Sequence, residues 1–150
     1  MRRAIELSRE KMQAGEGGPF AAVVVKDGVV IGEGWNQVTS HNDPTAHAEV
    51  VAIRDACSRL GTFALHGAVI YSSSEPCPMC LSAIYWARVE AVYFGATTAG
   101  AAAIGFDDGV LYEEIARPAC ERSLPCSQLL EHEAESVFAE WQRKADRVEY

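Results

Sequence analysis

The spacing of apolar residues alternates along the chain between the helical period and the short continuous runs typical of buried strands. Residues 1–14 have the spacing of a helix, and residues 21–26 have the composition of a buried strand. Asp27-Gly28 is a tight hairpin signal, so residues 29–31 are predicted to return antiparallel to that strand. A helix followed by a β-hairpin is therefore predicted to open the fold.

A second group of predicted elements follows a polar loop over residues 36–45. Residues 46–60 are predicted to form a helix that ends at Gly61. Its apolar side consists of Val50, Ile53, Ala56, Cys57 and Leu60. Beyond it, the pattern predicts further strands over 68–71 and 91–94 and helices over 77–88 and 99–104.

The remainder of the chain is less regular. Residues 105–109 are predicted to be a loop because they include two glycines and two aspartates. Residues 110–130 stay ambiguous because prolines interrupt them, and a fifth strand is expected near 126–130. Residues 133–146 have the pattern of an amphipathic final helix. Strands that alternate with helices after a hairpin indicate one α/β domain, residues 1–150, whose mixed sheet has helices on both faces.

Charge and composition narrow the classes of partner. The net charge is −8, with 13 Lys and Arg against 21 Asp and Glu. Proteins that hold phosphate backbones usually present a basic face, so this balance argues against a large nucleic-acid partner and suits a small neutral substrate. No apolar run is long enough to span a membrane, and Glu6 and Glu10 interrupt the N-terminal segment. We therefore expect a cytoplasmic protein with no membrane partner.

Two of the five cysteines, Cys77 and Cys80, have the spacing of a metal site or a redox pair. Both are predicted to lie in the first turn of a helix, where free N–H groups lower the pKa of a thiol. His47 is predicted at the start of another helix, and a histidine and two thiolates are ligands that favour zinc. Three protein ligands leave a fourth tetrahedral position for water, as in catalytic zinc sites. Glu49 lies close enough to reach that water without binding the metal.

The motifs around these residues resemble a known family. His47-Ala48-Glu49 and Pro76-Cys77-Pro78-Met79-Cys80 resemble the H-x-E…P-C-x-x-C signature of the cytidine deaminase superfamily of zinc enzymes. Further similarity, over nearly the whole chain, is to the bacterial guanine deaminase branch. It is carried by Gly17-Gly18-Pro19-Phe20, by residues 42–46, 83–88 and 103–108, and by Glu149-Tyr150. One departure is Ser72-Ser73-Ser74-Glu75, where a Thr-Ser-Cys-Glu type of sequence is expected.

The resemblance implies a cytidine deaminase-like, three-layer α/β/α fold with a mixed five-stranded sheet. It implies one zinc ion per chain, held by His47, Cys77 and Cys80. The implied reaction is hydrolytic deamination of guanine to xanthine and ammonia, a step of purine catabolism or salvage. Glu49 would carry the proton from the zinc-bound water to a ring nitrogen. Asp108 would be a second acid or base near the leaving amino group, although an aspartate pair in a glycine-rich loop is more often turn chemistry.

The resemblance also implies a substrate pocket for a purine base. Asn36 would read the ring edge, assisted by the backbone N–H of Ala48, unless its side chain only caps the loop. Phe20 and Trp86 would wall the ring, although an aromatic residue is more often part of the core. His47 would stack on the ring while bound to zinc.

The same branch implies a homodimer that exchanges C-terminal segments, about residues 131–150. Tyr150 would then close over the pocket of the partner, whereas without exchange it is a frayed terminus. The sequence leaves three alternative functions open. A tRNA adenosine deaminase shares the zinc motif, as does a deaminase of cytosine or guanosine. A zinc-stabilised binding module would need no Glu49.

Overall fold

A sheet of four strands in the order β2-β1-β3-β4 organises the N-terminal part of the protein. In this computed structural model, which describes all of residues 1–150, the strands are β1 (Ala21–Lys26), β2 (Val29–Trp35), β3 (Ala68–Ser74) and β4 (Ala91–Ala96). β1 pairs antiparallel with β2 and with β3, whereas β3 pairs parallel with β4. The sheet is therefore mixed, as the sequence predicts.

Helices precede, connect and follow these strands. They are α1 (Arg2–Gln13), α2 (Val38–His41), α3 (Ala48–Leu60), α4 (Pro78–Trp86), α5 (Thr98–Ala102), α6 (Gly109–Ala116) and α7 (Glu131–Arg143), with a 3₁₀ turn at Ala119–Glu121. The helix α2 lies inside the segment predicted to be a polar loop, and α6 begins at the end of the predicted Gly105–Gly109 loop. No helix is both long enough and apolar enough to cross a membrane.

The core lies where β1 is covered from both sides. Residues 21–24 of β1 are at most 2% exposed, so neither face of this strand meets solvent. On one face, Ala22 and Val24 pack with Ala52 and Ala56 of α3. The helix α1 also packs against β1 and β3, and its Leu7 is buried. Helices on both faces follow from these contacts.

The close packing of β2 on α3 depends on two glycines. A Cβ atom added at Gly34 would overlap the backbone nitrogen of Ala52 and the carbonyl oxygen of Ala48, and one added at Gly32 would meet the backbone of α3 at Ala52 and Ala56. Since α3 begins with Ala48 and Glu49, this packing fixes the height of its first turn above the sheet.

The predicted fifth strand near residues 126–130 is wrong. The sheet has four strands, and residues 126–130 form no strand. One physical reason is Leu130, whose φ of 53° is left-handed and incompatible with extended pairing. Leu130 instead precedes the first residue of α7.

Residues Leu111–Tyr150 form a second compact unit, whereas Met1–Val110 form the first. Within the second unit, the Glu114 carboxylate accepts hydrogen bonds from the Ser123 backbone N–H and hydroxyl at 2.7 and 2.9 Å. Arg122 donates to the Glu114 carbonyl at 3.1 Å. These contacts close the loop that follows α6. No residue of α7 is buried, and its apolar side, formed by Val137, Phe138 and Trp141, is exposed.

The α3–β2 packing generates a stability prediction. Gly34→Ala forces a methyl group into the backbone of α3 and should lower the free energy of unfolding by about 1–3 kcal/mol. Gly100→Ala is the matched control, because a Cβ atom there meets only Thr97 and Ala96 at ordinary distances of 3.8 and 3.9 Å. Thermal and urea unfolding of both variants provide the measurement. Equal stability of the two variants would contradict the proposed role of Gly34.

Candidate metal centre and active site

The three predicted metal ligands lie in the first turns of two helices. His47 is the N-cap of α3 and Cys77 is the N-cap of α4, and both have extended backbone conformations. Pro78 is the first residue of α4, a position where its missing N–H has no cost and its fixed φ suits the helix. Cys80 follows in the same turn and is fully buried. Because α3 packs against α4, the two helix N-termini deliver the ligands to one place.

The geometry of this cluster fits a tetrahedral metal ion. One ligand atom each from His47, Cys77 and Cys80 lies within 4.8 Å of the others. The His47 Nδ1 and Cys77 Sγ atoms are 3.6 Å apart. Zinc bonds of about 2.0 Å to nitrogen and 2.3 Å to sulfur place two tetrahedral ligand atoms at roughly that separation. The three side chains therefore fit zinc and leave one coordination position for a water or substrate atom.

The electrostatics of the cysteine pair also suit a cation. The Cys80 thiol, through its hydrogen bond, and then His47 lower the pKa of Cys77 to about 4. The pKa of Cys80 is raised because its proton is shared with Cys77. The pKa of His47 is raised, first by its contact with Cys77. The cluster thus carries a thiolate next to an imidazole, a donor set of the kind that zinc prefers.

Glu49 is the second residue of α3 and is only 6% exposed. Its Oε1 atom accepts a hydrogen bond of 2.9 Å from the hydroxyl of Ser72 on β3. Burial raises the pKa of this carboxyl group. Glu49 is not one of the three clustered metal ligands. Its buried carboxyl group therefore lies beside the metal site without being a ligand.

The structure distinguishes the two aspartates of the loop before α6. The Asp107 carboxylate accepts a hydrogen bond of 2.9 Å from the Gly109 backbone N–H, which is ordinary turn chemistry. Desolvation raises the pKa of Asp108, and the negative charges of Cys77, Asp107 and Glu75 raise it further. Asp108 is therefore within the electrostatic reach of the cysteine pair and is the better candidate for a second acid or base.

The predicted pocket residues Asn36 and Phe20 lie next to each other at the end of the β1–β2 hairpin. The Asn36 backbone N–H donates to the Phe20 carbonyl at 2.9 Å. The Asn36 Oδ1 atom accepts a hydrogen bond of 3.3 Å from the Val38 backbone N–H, so the Asn36 side chain does cap the loop. The side-chain NH₂ group has no part in that cap. Phe20 also packs edge-to-face on Phe106, with ring centroids 4.8 Å apart.

Two other predicted pocket residues lie at exposed positions. Trp86 is 61% exposed at the end of α4. It lines a shallow cavity of about 310 Å³ with Ser82, Tyr85 and Arg88. Tyr150 is 79% exposed and belongs to the C-terminal unit.

Two residues near the site were missed by the sequence reasoning. Ser72 contacts Glu49, and Phe106 contacts Phe20. A signal for Ser72 was available, because it occupies an inward position in the alternating burial of β3 where an apolar side chain is expected. Phe106 lies in a loop without periodicity, so only the folded structure identifies its partner.

Comparison with known proteins agrees with this geometry. Residues 1–96 match the family model described as the cytidine and deoxycytidylate deaminase zinc-binding region. The guanine deaminase of Bacillus subtilis is 53% identical over 150 residues, which cover 100% of this chain and 96% of that relative. A crystal structure of the B. subtilis guanine deaminase superposes with a TM-score of 0.96 and covers 99% of this chain and 95% of that one.

A second type of relative shares the motif at lower identity. The tRNA-specific adenosine deaminase of Haemophilus influenzae is 35% identical over 155 residues, which cover 99% of this chain and 86% of that relative. The family match agrees with the fold, with the zinc-ligand cluster and with the buried glutamate. The chain therefore belongs to the cytidine and deoxycytidylate deaminase family of zinc-dependent aminohydrolases.

Proposed function

We propose that this protein deaminates guanine hydrolytically to xanthine and ammonia, in purine catabolism or salvage. The observation that carries the proposal is the 53% identity to a guanine deaminase over the whole chain, which includes the C-terminal residues beyond the family model. The relative that acts on tRNA is 35% identical over a similar span. The net charge of −8 also favours a small neutral base over an RNA loop.

The proposed chemistry divides the work among the chain's own residues. His47, Cys77 and Cys80 would hold one zinc ion, which when bound lowers the pKa of a ligated water and supplies a nucleophile near neutral pH. Glu49 would accept a proton of the attacking water and deliver it to a ring nitrogen of the base, which would prepare the amino-bearing carbon for attack. Glu49 or Asp108 would then transfer the remaining proton, from the hydroxyl group added to that carbon, to the departing amino group, which leaves as ammonia.

Recognition of the base is assigned to groups around this centre. The NH₂ group of Asn36 and the backbone N–H of Ala48 are donors for the ring edge, and Ala48 is the first residue of α3, where N–H groups have no helical acceptor. Phe20 and the imidazole of His47 offer flat surfaces for the purine ring. Trp86 has the same proposed role, either within its own chain or for a partner copy.

We further propose that the working unit is a homodimer in which residues of about 131–150 are exchanged. The strand β4 is an edge of the sheet, and its Tyr93 and Phe94 are exposed. In the C-terminal unit the apolar side of α7 is exposed as well. Such surfaces are covered in stable proteins, and a second copy of the same chain offers the complementary surface by symmetry. Tyr150 of one copy would then cover the pocket of the other.

The cellular setting follows from the thiols. All five cysteines are free, and two of them must stay reduced to bind a metal. We therefore propose a reducing compartment, the cytoplasm.

Substrate choice is tested by ammonia release from guanine, guanosine, adenine, cytosine, cytidine and a tRNA anticodon arm. Guanine should give stoichiometric xanthine and ammonia. The other compounds should have kcat/KM values lower by at least about 10²-fold, because a site with hydrogen-bonding groups for one ring edge leaves them unpaired with another. If the tRNA arm were deaminated and guanine were not, the adenosine deaminase assignment would replace this one.

The role of Glu49 is tested by Glu49→Gln, which keeps the shape of the side chain but removes its ability to carry a proton. The kcat value should fall by about 10⁴-fold, the upper end of the range for general acid–base catalysis, while zinc content by atomic emission stays near one per chain. Cys80→Ala is the matched comparison, because it should lose zinc and activity together. A Glu49→Gln enzyme within tenfold of wild type would show that another group transfers the proton.

The exchanged C-terminus is tested by deletion of residues 148–150 and by Tyr150→Phe. The truncated protein should keep its zinc and its dimer but lose on the order of 10²-fold in kcat/KM for guanine, the scale at which lost positioning contacts act. Tyr150→Phe separates the contribution of the hydroxyl from that of the ring. Light scattering reports the assembly. Normal activity after truncation would refute the lid, and a monomer would refute the exchange.

A further inference from the structure

A serine hydroxyl lies on the inward face of β3, following the apolar residues Ala68 and Ile70 on the same face. Burial alternates along this strand, so Ala68, Ile70, Ser72 and Ser74 point inward. Ser72 is only 2% exposed. In the sheet it pairs with Ala22 of β1 on one side and with Phe94 of β4 on the other. A polar side chain at this depth needs a hydrogen-bond partner.

The partner is the buried glutamate of α3. The Ser72 hydroxyl donates to Oε1 of Glu49 at 2.9 Å, across 23 residues of sequence. Ser8 and Ser82, by contrast, satisfy their hydroxyls within their own helices: Ser8 donates to the carbonyl of Ile5 and Ser82 to that of Pro78, both at 2.8 Å. Ser72 instead joins a strand to a carboxyl group on a helix. A hydrogen bond to an ionised carboxylate is stronger than one between neutral groups.

We propose that Ser72 is the positioning residue for Glu49: it holds Oε1 so that Oε2 is the oxygen that exchanges protons. Glu49 has three side-chain torsions, and a single fixed oxygen removes most of their freedom. Ser72 acts through Glu49 and does not touch the substrate. The inference rests on the proposed acid–base role of Glu49 and assigns the two carboxyl oxygens different tasks.

The sequence context indicates which replacements preserve this role. The Ser72-Ser73-Ser74 segment departs from the Thr-Ser-Cys pattern expected by resemblance, yet serine and threonine both carry a β-hydroxyl. Ser72→Thr should therefore keep the bond to Glu49. Ser72→Ala and Ser72→Val remove it, and valine has the shape of threonine.

The first test compares kcat, KM, zinc content and melting temperature of these variants. Ser72→Ala and Ser72→Val should lower kcat roughly 10- to 100-fold, the value of a lost hydrogen bond to a charged group. The KM value should stay within about threefold and zinc should stay bound, since only transition-state stabilisation is lost. Ser72→Thr should restore kcat to within about threefold of wild type. If Ser72→Ala is too unstable to purify, the Thr and Val pair decides the question.

The matched control is Ser73→Ala on the same strand. The Ser73 hydroxyl accepts a hydrogen bond of 3.0 Å from the Ala21 backbone N–H and does not contact Glu49. Its loss should lower the melting temperature while kcat stays within about twofold of wild type, as expected for a structural hydrogen bond. An equal loss of kcat in Ser73→Ala and Ser72→Ala would mean that Ser72 acts only on stability, and would overturn the proposal.

A double-mutant cycle with Glu49→Gln provides the decisive comparison. If Ser72 acts through Glu49, then Ser72→Ala should change the residual kcat of Glu49→Gln by less than about twofold. The same fold-loss in both backgrounds would overturn the proposal. The cycle is run on whichever compound of the substrate panel is deaminated by the wild type, so failure on guanine alone overturns the substrate assignment and leaves Ser72 to be decided. No ammonia from any compound overturns both.

Discussion

The close approach of α3 to β2 is the constraint on which the rest of the site depends. Gly32 and Gly34 allow the backbone of α3 to lie against the strand without side chains between them. Because His47 and Glu49 occupy the first turn of α3, any displacement of this helix moves a metal ligand and the proton carrier together. The packing of α3 against α4 then brings Cys77 and Cys80 to the same point. The geometry of the site is thus set by the backbone packing of α3 against β2, a strand that carries none of the metal ligands.

The site brings acidic groups together around the buried carboxyl group of Glu49. Burial raises the pKa of the Glu49 carboxyl group, and the negative charge of Cys77 raises the pKa of Glu49 and of Asp108 further. The N-terminal ends of α3 and α4 offset part of this charge with their free N–H groups. A divalent cation held by His47 and the two cysteines offsets more, so the same electrostatics that make the site chemically useful also make it a strong metal site.

The two compact units differ in how much of their apolar surface is buried. The N-terminal unit has a buried core on both faces of β1, whereas the C-terminal unit leaves every residue of α7 exposed. Apolar helix faces gain most of their stability from burial, and within its own unit α7 lacks this contribution. The proposed exchange between two copies accounts for this exposure and for the free edge of β4.

The sequence alone determined the chemistry, and the tertiary structure decided how it is arranged. The hairpin, the metal motif and most of the helices follow from turn chemistry, short spacings and local periodicity, so His47, Cys77 and Cys80 could be predicted as ligands from the sequence, whereas α2 and α6 could not be predicted. The sequence did not predict that the sheet has only four strands. Strand pairing depends on residues far apart in the chain, and Leu130 adopts a left-handed conformation. The Ser72–Glu49 contact was not predicted from the sequence either, because these two residues meet only when α3 packs on the sheet.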